Sequence, residues 1–396
     1  MSPSLFRSAL VLGLLGAVGP FAIDMYLPAM PTIAAALDTS VAATQSTLTA
    51  FFVTFGLAQL VYGPWADQAG RKLPLYVGLT LFLAASLGCS AAPTIEVLTA
   101  MRALQGLGAA VLMVVPRAII RDMHTGPAAT RLMAMIMLVT SVSPMLAPLA
   151  GSGIIAAWGW RAIFLILALA ATASLTLTAT LQPETLPPHR RIPARPRVLL
   201  AGARALLTDG RFLGLTFLGG FGIASFFVFI ATASFVYTGQ FGLSPTGFSV
   251  AFALNAIGFF AASQLAGPLA DRLGTETVVR RGTLVFAAAA GLLLLLALAG
   301  LATLEVTVGM LFLANAGLGV VIPTTMVLAL DDHGDNAGLA SSLGGTLQML
   351  AGGVMILLTG PFFDGTVLPM VVSIAVCAAI ALALSRITLA PRLGTA

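Results

Sequence analysis

Residues 63–72 read Gly63-Pro64-Trp65-Ala66-Asp67-Gln68-Ala69-Gly70-Arg71-Lys72, and 204 residues downstream the chain nearly repeats itself as Gly267-Pro268-Leu269-Ala270-Asp271-Arg272-Leu273-Gly274. Each copy closes the second of a series of long apolar runs. Two structurally equivalent halves are the simplest account of this recurrence, and paired repeats with a site at their interface are the architecture of many secondary transporters. The copies differ at their ends, where Thr275 and Glu276 stand in place of Arg71 and Lys72.

Outward from these two loops, apolar runs of spanning length fall near 8–36, 44–65, 73–92, 97–119, 131–156 and 162–181, then 212–237, 248–268, 282–302, 306–330, 337–360 and 366–385. Their lengths suit helices crossing ~30 Å of hydrocarbon, and the ~10-residue alternation of membrane strands is absent. Of the 396 residues 59% are hydrophobic and only 8% charged, with mean hydropathy +1.03, whereas a soluble domain carries about 25% charge. That composition excludes a soluble enzyme, a disordered chain and a disulfide scaffold. The expectation is an all-α integral membrane protein of twelve transmembrane helices in two six-helix pseudo-symmetric halves, residues 1–181 and 212–396. Residues 182–211, with five prolines and six arginines, join the halves. Cys89 and Cys377 lie inside apolar runs and read as small buried hydrophobes. The N-terminal run imitates a secretory signal, but it is long enough to span and many spans follow it.

Placing the N-terminus in the cytoplasm puts 17 of the 19 basic residues on the cytoplasmic side, leaving Arg161 outside and Arg102 within a helix. This is the bias that orients membrane helices. Both termini and the 182–211 linker are therefore expected in the cytoplasm, its arginines acting as topology determinants and anionic-lipid contacts rather than as a nucleic-acid site.

Residues 63–72 resemble the loop between spans two and three of the major facilitator superfamily, G-x-L-A-D-R-x-G-R-K, with Trp65 for its leucine and Gln68 for its arginine. Arg102-Ala103-Leu104-Gln105-Gly106-Leu107-Gly108-Ala109-Ala110 is similar to the R-x-x-Q-G-x-G-A-A element of proton-coupled members. Asp24-Met25-Tyr26-Leu27-Pro28-Ala29-Met30-Pro31, Trp158–Phe164 and Pro183-Glu184-Thr185-Leu186-Pro187-Pro188 look like the bicyclomycin and chloramphenicol resistance (Bcr/CflA) branch of drug:proton antiporters. The resemblance implies a monomeric multidrug efflux antiporter of the bacterial inner membrane, exchanging small drugs for protons by alternating access, with no cofactor. It assigns Gly63, Asp67, Gly70 and Arg71 to a cytoplasmic gate, with Arg117 or Arg121 as partners of Asp67. A plain topology-determining loop is the competing reading. Pro144, Pro148 and Gly151 resemble an eroded G-P-x-x-G-G element of the fifth span, and ordinary helix packing explains them equally well.

The physics of two positions stands apart from the resemblance. Asp24 lies ~25 Å along the helix from Arg7 and ~21 Å from Asp38, so its carboxyl is inside the membrane, where a charge is expensive and marks a functional site. Pro28 cannot donate to the carbonyl of Asp24, which leaves a free acceptor and a kink beside the carboxylate. Arg102, ~9 Å beyond Glu96, falls in the same outer half, and the two charges are the expected proton-coupling pair. The alternatives are an Asp24 that reaches interfacial water at a tilted helix end and an Arg102 that only cross-links helices or snorkels outward. With them, Tyr26, Phe226, Phe227, Tyr237, Asn255 and Gln348 are expected to line a substrate cavity, although each singly also fits a packing role. No metal-ligand cluster and no catalytic constellation is visible. Proton-coupled movement of a metabolite such as a nucleoside, and a non-transporting receptor or scaffold, remain as other readings.

Overall fold

The computed structural model describes residues 3–123, 126–191, 196–331, 333 and 337–389, with side chains for all of these except 3–10, 126–141, 196, 198 and 337. Fifteen helices are present among the described residues: α1 (Pro3–Asp24), α2 (Met30–Ala36), α3 (Val41–Ala69), α4 (Lys72–Ser90), α5 (Ile95–Ala109), α6 (Val111–Met123), α7 (Gly126–Trp158), α8 (Arg161–Leu181), α9 (Pro196–Thr208), α10 (Gly210–Phe235), α11 (Pro245–Leu273), α12 (Thr275–Leu298), α13 (Leu304–Asp331), α14 (Ala337–Thr359) and α15 (Val367–Thr388). Eleven segments among the described residues are long and apolar enough to cross a membrane, and within α7 the described apolar stretch is Val142–Trp158.

Several spans are longer than hydropathy suggests, because a helix ends where backbone geometry ends it rather than where the first charge appears. Gly70 (φ 95°) and Gly274 (φ 82°) stop α3 and α11, at a backbone conformation that side chains resist. The ninth span thus begins at Thr275 and carries Arg280 and Arg281 inside the helix, instead of after them. Two spans are broken. The first passes from α1 through a 3-10 turn, Leu27–Ala29, into α2, and the fourth changes from α5 to α6 at Ala110. The linker is also not all coil, since α9 occupies Pro196–Thr208.

The chain divides into two compact units, Met1–Pro196 with Ser244–Val250, and Arg197–Leu243 with Ala251–Ala396. Inside each, the same glycine contact brings two spans together. A Cβ on Gly108 of α5 would lie 2.6 Å from the carbonyl oxygen of Gly78 and 2.6 Å from the amide of Phe82, both on α4. In the second unit a Cβ on Gly317 of α13 would lie 2.8 Å from the Gly282 carbonyl and 2.9 Å from the Phe286 amide on α12. Gly78 with Gly282, and Phe82 with Phe286, are again 204 residues apart. The repeat announced by the two loops therefore continues into the packing of the helices that follow them.

Candidate functional site

The break in the first span builds the site of the first unit. Pro28 has no amide to offer Asp24, and the chain tightens: the N–H of Met25 reaches Phe21 O at 3.1 Å, while that of Tyr26 turns to Ile23 O at 3.2 Å. In a continuous α-helix the Tyr26 amide would serve Ala22. The carbonyl of Ala22 is left for another donor, and Arg102 Nη1 takes it at 3.2 Å. The same nitrogen donates to Gln105 Oε1 at 2.5 Å, one helical turn along α5. Gln105 Nε2 in turn donates to Ser86 Oγ at 2.8 Å, and Ser86 Oγ to Phe82 O at 2.7 Å. A polar chain thus runs from the broken span through α5 to α4.

Arg102 has no exposed surface. Its guanidinium carbon stands 4.6 Å from the ring centre of Tyr26 and 4.5 Å from that of Phe51, a sandwich in which ring faces attract the cation more strongly for being desolvated. Nε and Nη2 make no hydrogen bond among the described residues, and no carboxylate among them pairs with Arg102. Tyr26 is held in turn by a 2.7 Å hydrogen bond between its hydroxyl and Thr47 Oγ1.

Asp24 is the last residue of α1 and is 4% exposed. Ser143 Oγ of α7 donates to its Oδ2 at 3.2 Å, and no lysine or arginine among the described residues pairs with it. Asp24 and Arg102 flank the same break without forming an ion pair. Gly151 allows α7 to approach that break, because a Cβ there would lie 2.5 Å from the carbonyl of Met25. Pro144 and Pro148 both lie inside α7.

In the second unit the aromatic residues form a ladder. Phe226 stacks on Phe259 with centroids 6.1 Å apart, Phe229 on Phe252 at 5.4 Å and 4°, and Phe229 meets Tyr237 edge-on at 6.3 Å. Tyr237 and Asn255 are fully buried, and Asn255 Nδ2 donates to Ala251 O at 3.1 Å. Gln348 crosses from α14 to donate to Thr216 O at 3.4 Å, in space left by Gly219 and Gly220 of α10. Phe227 packs against Gly352 of α14. Gln348 and Phe227 thus join helices within the unit.

At the end of α3 the loop glycines act differently: Gly70 stops the helix, while a Cβ on Gly63 would meet nothing within 4 Å. Arg71 gathers the charges. Its Nη1 donates to Asp67 at 2.6 Å and its Nε to Asp122 at 2.7 Å. Burial works against its charge, and its hydrogen bonds to Asp122 and Asp67 outweigh that cost, so its pKa stands above the ordinary arginine value. Arg117 instead points Nη2 to the sulfur of Met113 at 3.2 Å, and Arg121 makes no ion pair among the described residues. Sequence reasoning missed Asp122 as a partner of Arg71, and it missed the contacts of Glu184. The Glu184 carboxylate accepts the backbone N–H groups of Arg71 at 2.9 Å and Lys72 at 3.1 Å, capping α4 from beyond the sixth span. Thr185 Oγ1 adds a 3.2 Å hydrogen bond to Asp122. The available signal was a glutamate one residue after the proline that follows α8.

A family model of the Major Facilitator Superfamily matches residues 12–356. The chain is similar to the uncharacterized MFS-type transporter YdgK of Bacillus subtilis, 34% identical over 91% of this chain and 90% of the relative. It is also similar to a bicyclomycin resistance protein homolog of Haemophilus influenzae, 30% identical over 95% and 94%, and to a chloramphenicol resistance protein of Pseudomonas aeruginosa, 29% identical over 97% and 91%. Among solved structures a D-xylose-proton symporter shares the fold at a TM-score of 0.76, with 16% identity over 97% of each chain. The chain belongs to the Major Facilitator Superfamily and is a multi-span membrane transporter rather than an enzyme.

Proposed function

We propose that this transporter exports small drugs in exchange for protons, with Asp24 as the proton carrier and Arg102 as its charge partner. The observation that carries the reading is the pairing pattern at the broken first span. A buried carboxyl holds only a serine hydroxyl among the described residues, while the nearby buried arginine keeps two nitrogens without acceptors. A carboxyl that is not locked into an ion pair can load and release a proton, and an arginine with unfilled donors can respond to that change of charge. Bicyclomycin and chloramphenicol resistance proteins among the relatives support a drug as the cargo. In this reading Asp24, Tyr26 and Arg102 face the cargo from the first half and the Phe226 ladder with Tyr237 from the second. The halves are residues 1–181 and 212–396, and the protein works as a monomer in the bacterial inner membrane with both termini in the cytoplasm.

Two measurements test this. Cells with and without the gene are compared on a panel of antibiotics, and purified protein in liposomes is given an imposed pH gradient. The reading expects raised tolerance to at least one small drug and uphill drug accumulation that Asp24→Asn abolishes. An Asp24→Asn variant that still concentrates drug against its gradient removes Asp24 from the coupling role.

A further inference from the structure

The two units differ at one corner. In the first, where α4 packs on α8, Lys72 Nζ reaches Ala179 O near the end of α8 at 3.5 Å, and Glu184 supplies a carboxylate to the same helix start. The chain's own acid fills the corner. In the second unit α12 packs on α15, and Arg280 Nη2 likewise donates to Leu389 O beyond the end of α15. No acid follows α15 among the described residues. The corner is instead a cavity of about 410 Å³ lined by Arg280, Arg281, Leu284, Leu382, Ser385 and Arg386, with Leu389 at its edge.

Its charges are unequally compensated. Glu276 lies 3.7 Å from Arg280 but is shared with Arg211 at 3.2 Å. Arg281 and Arg386 make no hydrogen bond or ion pair among the described residues. Three arginines therefore line a cavity with no acidic side chain in its lining among the described residues. The lining is also layered. Leu284 is one turn from Arg280 on α12, and Leu382 one turn from Arg386 on α15, so each helix presents an arginine toward one end, cytoplasmic in the proposed orientation, and a leucine toward its middle. Leu284 is 52% exposed.

We infer that this corner binds the headgroup of an anionic phospholipid of the cytoplasmic leaflet. Arg281 and Arg386 hold the phosphodiester, and the acyl chains lie along Leu284 and Leu382. The leucine layer selects a lipid over free phosphate, and basic pockets between membrane helices on the cytoplasmic side are suited to such headgroups. The bound phosphate would place an anion at this corner, as Glu184 does at the start of α4.

The test is native mass spectrometry of the full chain in detergent, titrated with phosphatidylglycerol or phosphatidylcholine, with and without excess inorganic phosphate. Wild-type protein is expected to retain phosphatidylglycerol in preference to phosphatidylcholine, and phosphate is expected not to displace it. Arg281→Gln with Arg386→Gln should weaken phosphatidylglycerol binding roughly 25-fold, from about fivefold per arginine. Arg7→Gln with Arg272→Gln removes the same charge elsewhere on the cytoplasmic side and should leave binding within about twofold. No lipid preference in the wild-type protein overturns the proposal without recourse to any variant. So does displacement by phosphate, which identifies a free anion as the ligand, or an equal loss in the two double variants, which identifies generic surface attraction.

Discussion

The carboxylate of Glu184 accepts the backbone N–H of Arg71 across 113 residues of sequence at 2.9 Å. It thereby supplies the cap that α4 lacks from its own preceding side chain. Helix starts leave amides without partners, and here the segment after the sixth span provides for the third. Glu184→Ala is expected to cost about 1 kcal/mol, as for loss of an ordinary cap. Burial pushes the Glu184 carboxyl up, but hydrogen bonds from the amides of Arg71, Leu186, Lys72 and Thr185 outweigh it and hold its pKa below the usual glutamate value. A depressed acid stabilises fully above its unfolded pKa, about 4.3, and loses that contribution as pH falls through the folded value. Thermal unfolding of wild type and Glu184→Gln should therefore converge on acidification below about 4.3. A gap that stays constant down to the acid limit contradicts the capping role.

Arg71 divides its charge between a sheltered and an open partner. The Arg71 side chain is 4% exposed, Asp122 15% and Asp67 47%. Asp122→Ala is expected to cost about 2 to 3 kcal/mol, since it strips a buried cation of its better shielded partner, whereas Asp67→Ala costs about 1 kcal/mol or less. If Asp67 belongs to a gate, Asp67→Asn slows turnover and leaves substrate affinity near wild type, which parallel transport and binding assays separate. A wild-type turnover rate ends the gating idea.

Gly151 and Gly153 sit two residues apart on α7 and should respond oppositely to alanine. A Cβ at Gly151 presses on the Met25 carbonyl at 2.5 Å, while at Gly153 it meets nothing within 4 Å. Gly151→Ala should destabilise by about 1 to 3 kcal/mol, as overpacking does, and should lower transport by displacing the break that carries Asp24 and Tyr26. Gly153→Ala should be neutral or stabilise by up to about 1 kcal/mol through helix propensity. Melting curves and initial rates on both variants decide the matter.

The glycine contact in the two units should be equally intolerant. Gly108→Ala and Gly317→Ala each place a methyl against backbone, at an expected cost of about 1 to 3 kcal/mol. Gly291→Ala, with open space around it, serves as the neutral control. A difference in sign between Gly108→Ala and Gly317→Ala would show that the repeat does not extend to energetics.

Orientation rests on the arginine bias and is tested by labelling. Single cysteines at Pro193 and Asp364, in a variant lacking Cys89 and Cys377, should react from opposite faces of the membrane. Pro193 lies outside the described residues. Reaction from one face disproves the orientation.

Hydropathy located the spans because lipid imposes a composition on every residue that faces it, and the Asp67 and Asp271 loops disclosed the repeat because they interrupt that composition. Pro28 announced a bend at Asp24 for a local reason, the missing amide. The use made of the bend was not legible. Sequence reasoning placed a free acceptor at Asp24, and it did not foresee the second carbonyl, that of Ala22, which Arg102 takes once the Tyr26 amide has turned to Ile23. Glu184 and Asp122 were equally hidden, since a cap supplied from 113 residues away and an ion pair spanning 51 leave no periodicity. Arg117 or Arg121 was the expected partner of Asp67, but the i,i+4 geometry from Asp67 to Arg71 forms within the turn of the loop itself.

The Gly78 and Gly282 contacts also separate what the two copies share from what they do not. The two copies keep the same backbone approach at the same 204-residue interval, yet Lys72 in one is Glu276 in the other. Helices that meet backbone to backbone are held together independently of the charge at their start, so that charge is open to change in either copy while the packing stays.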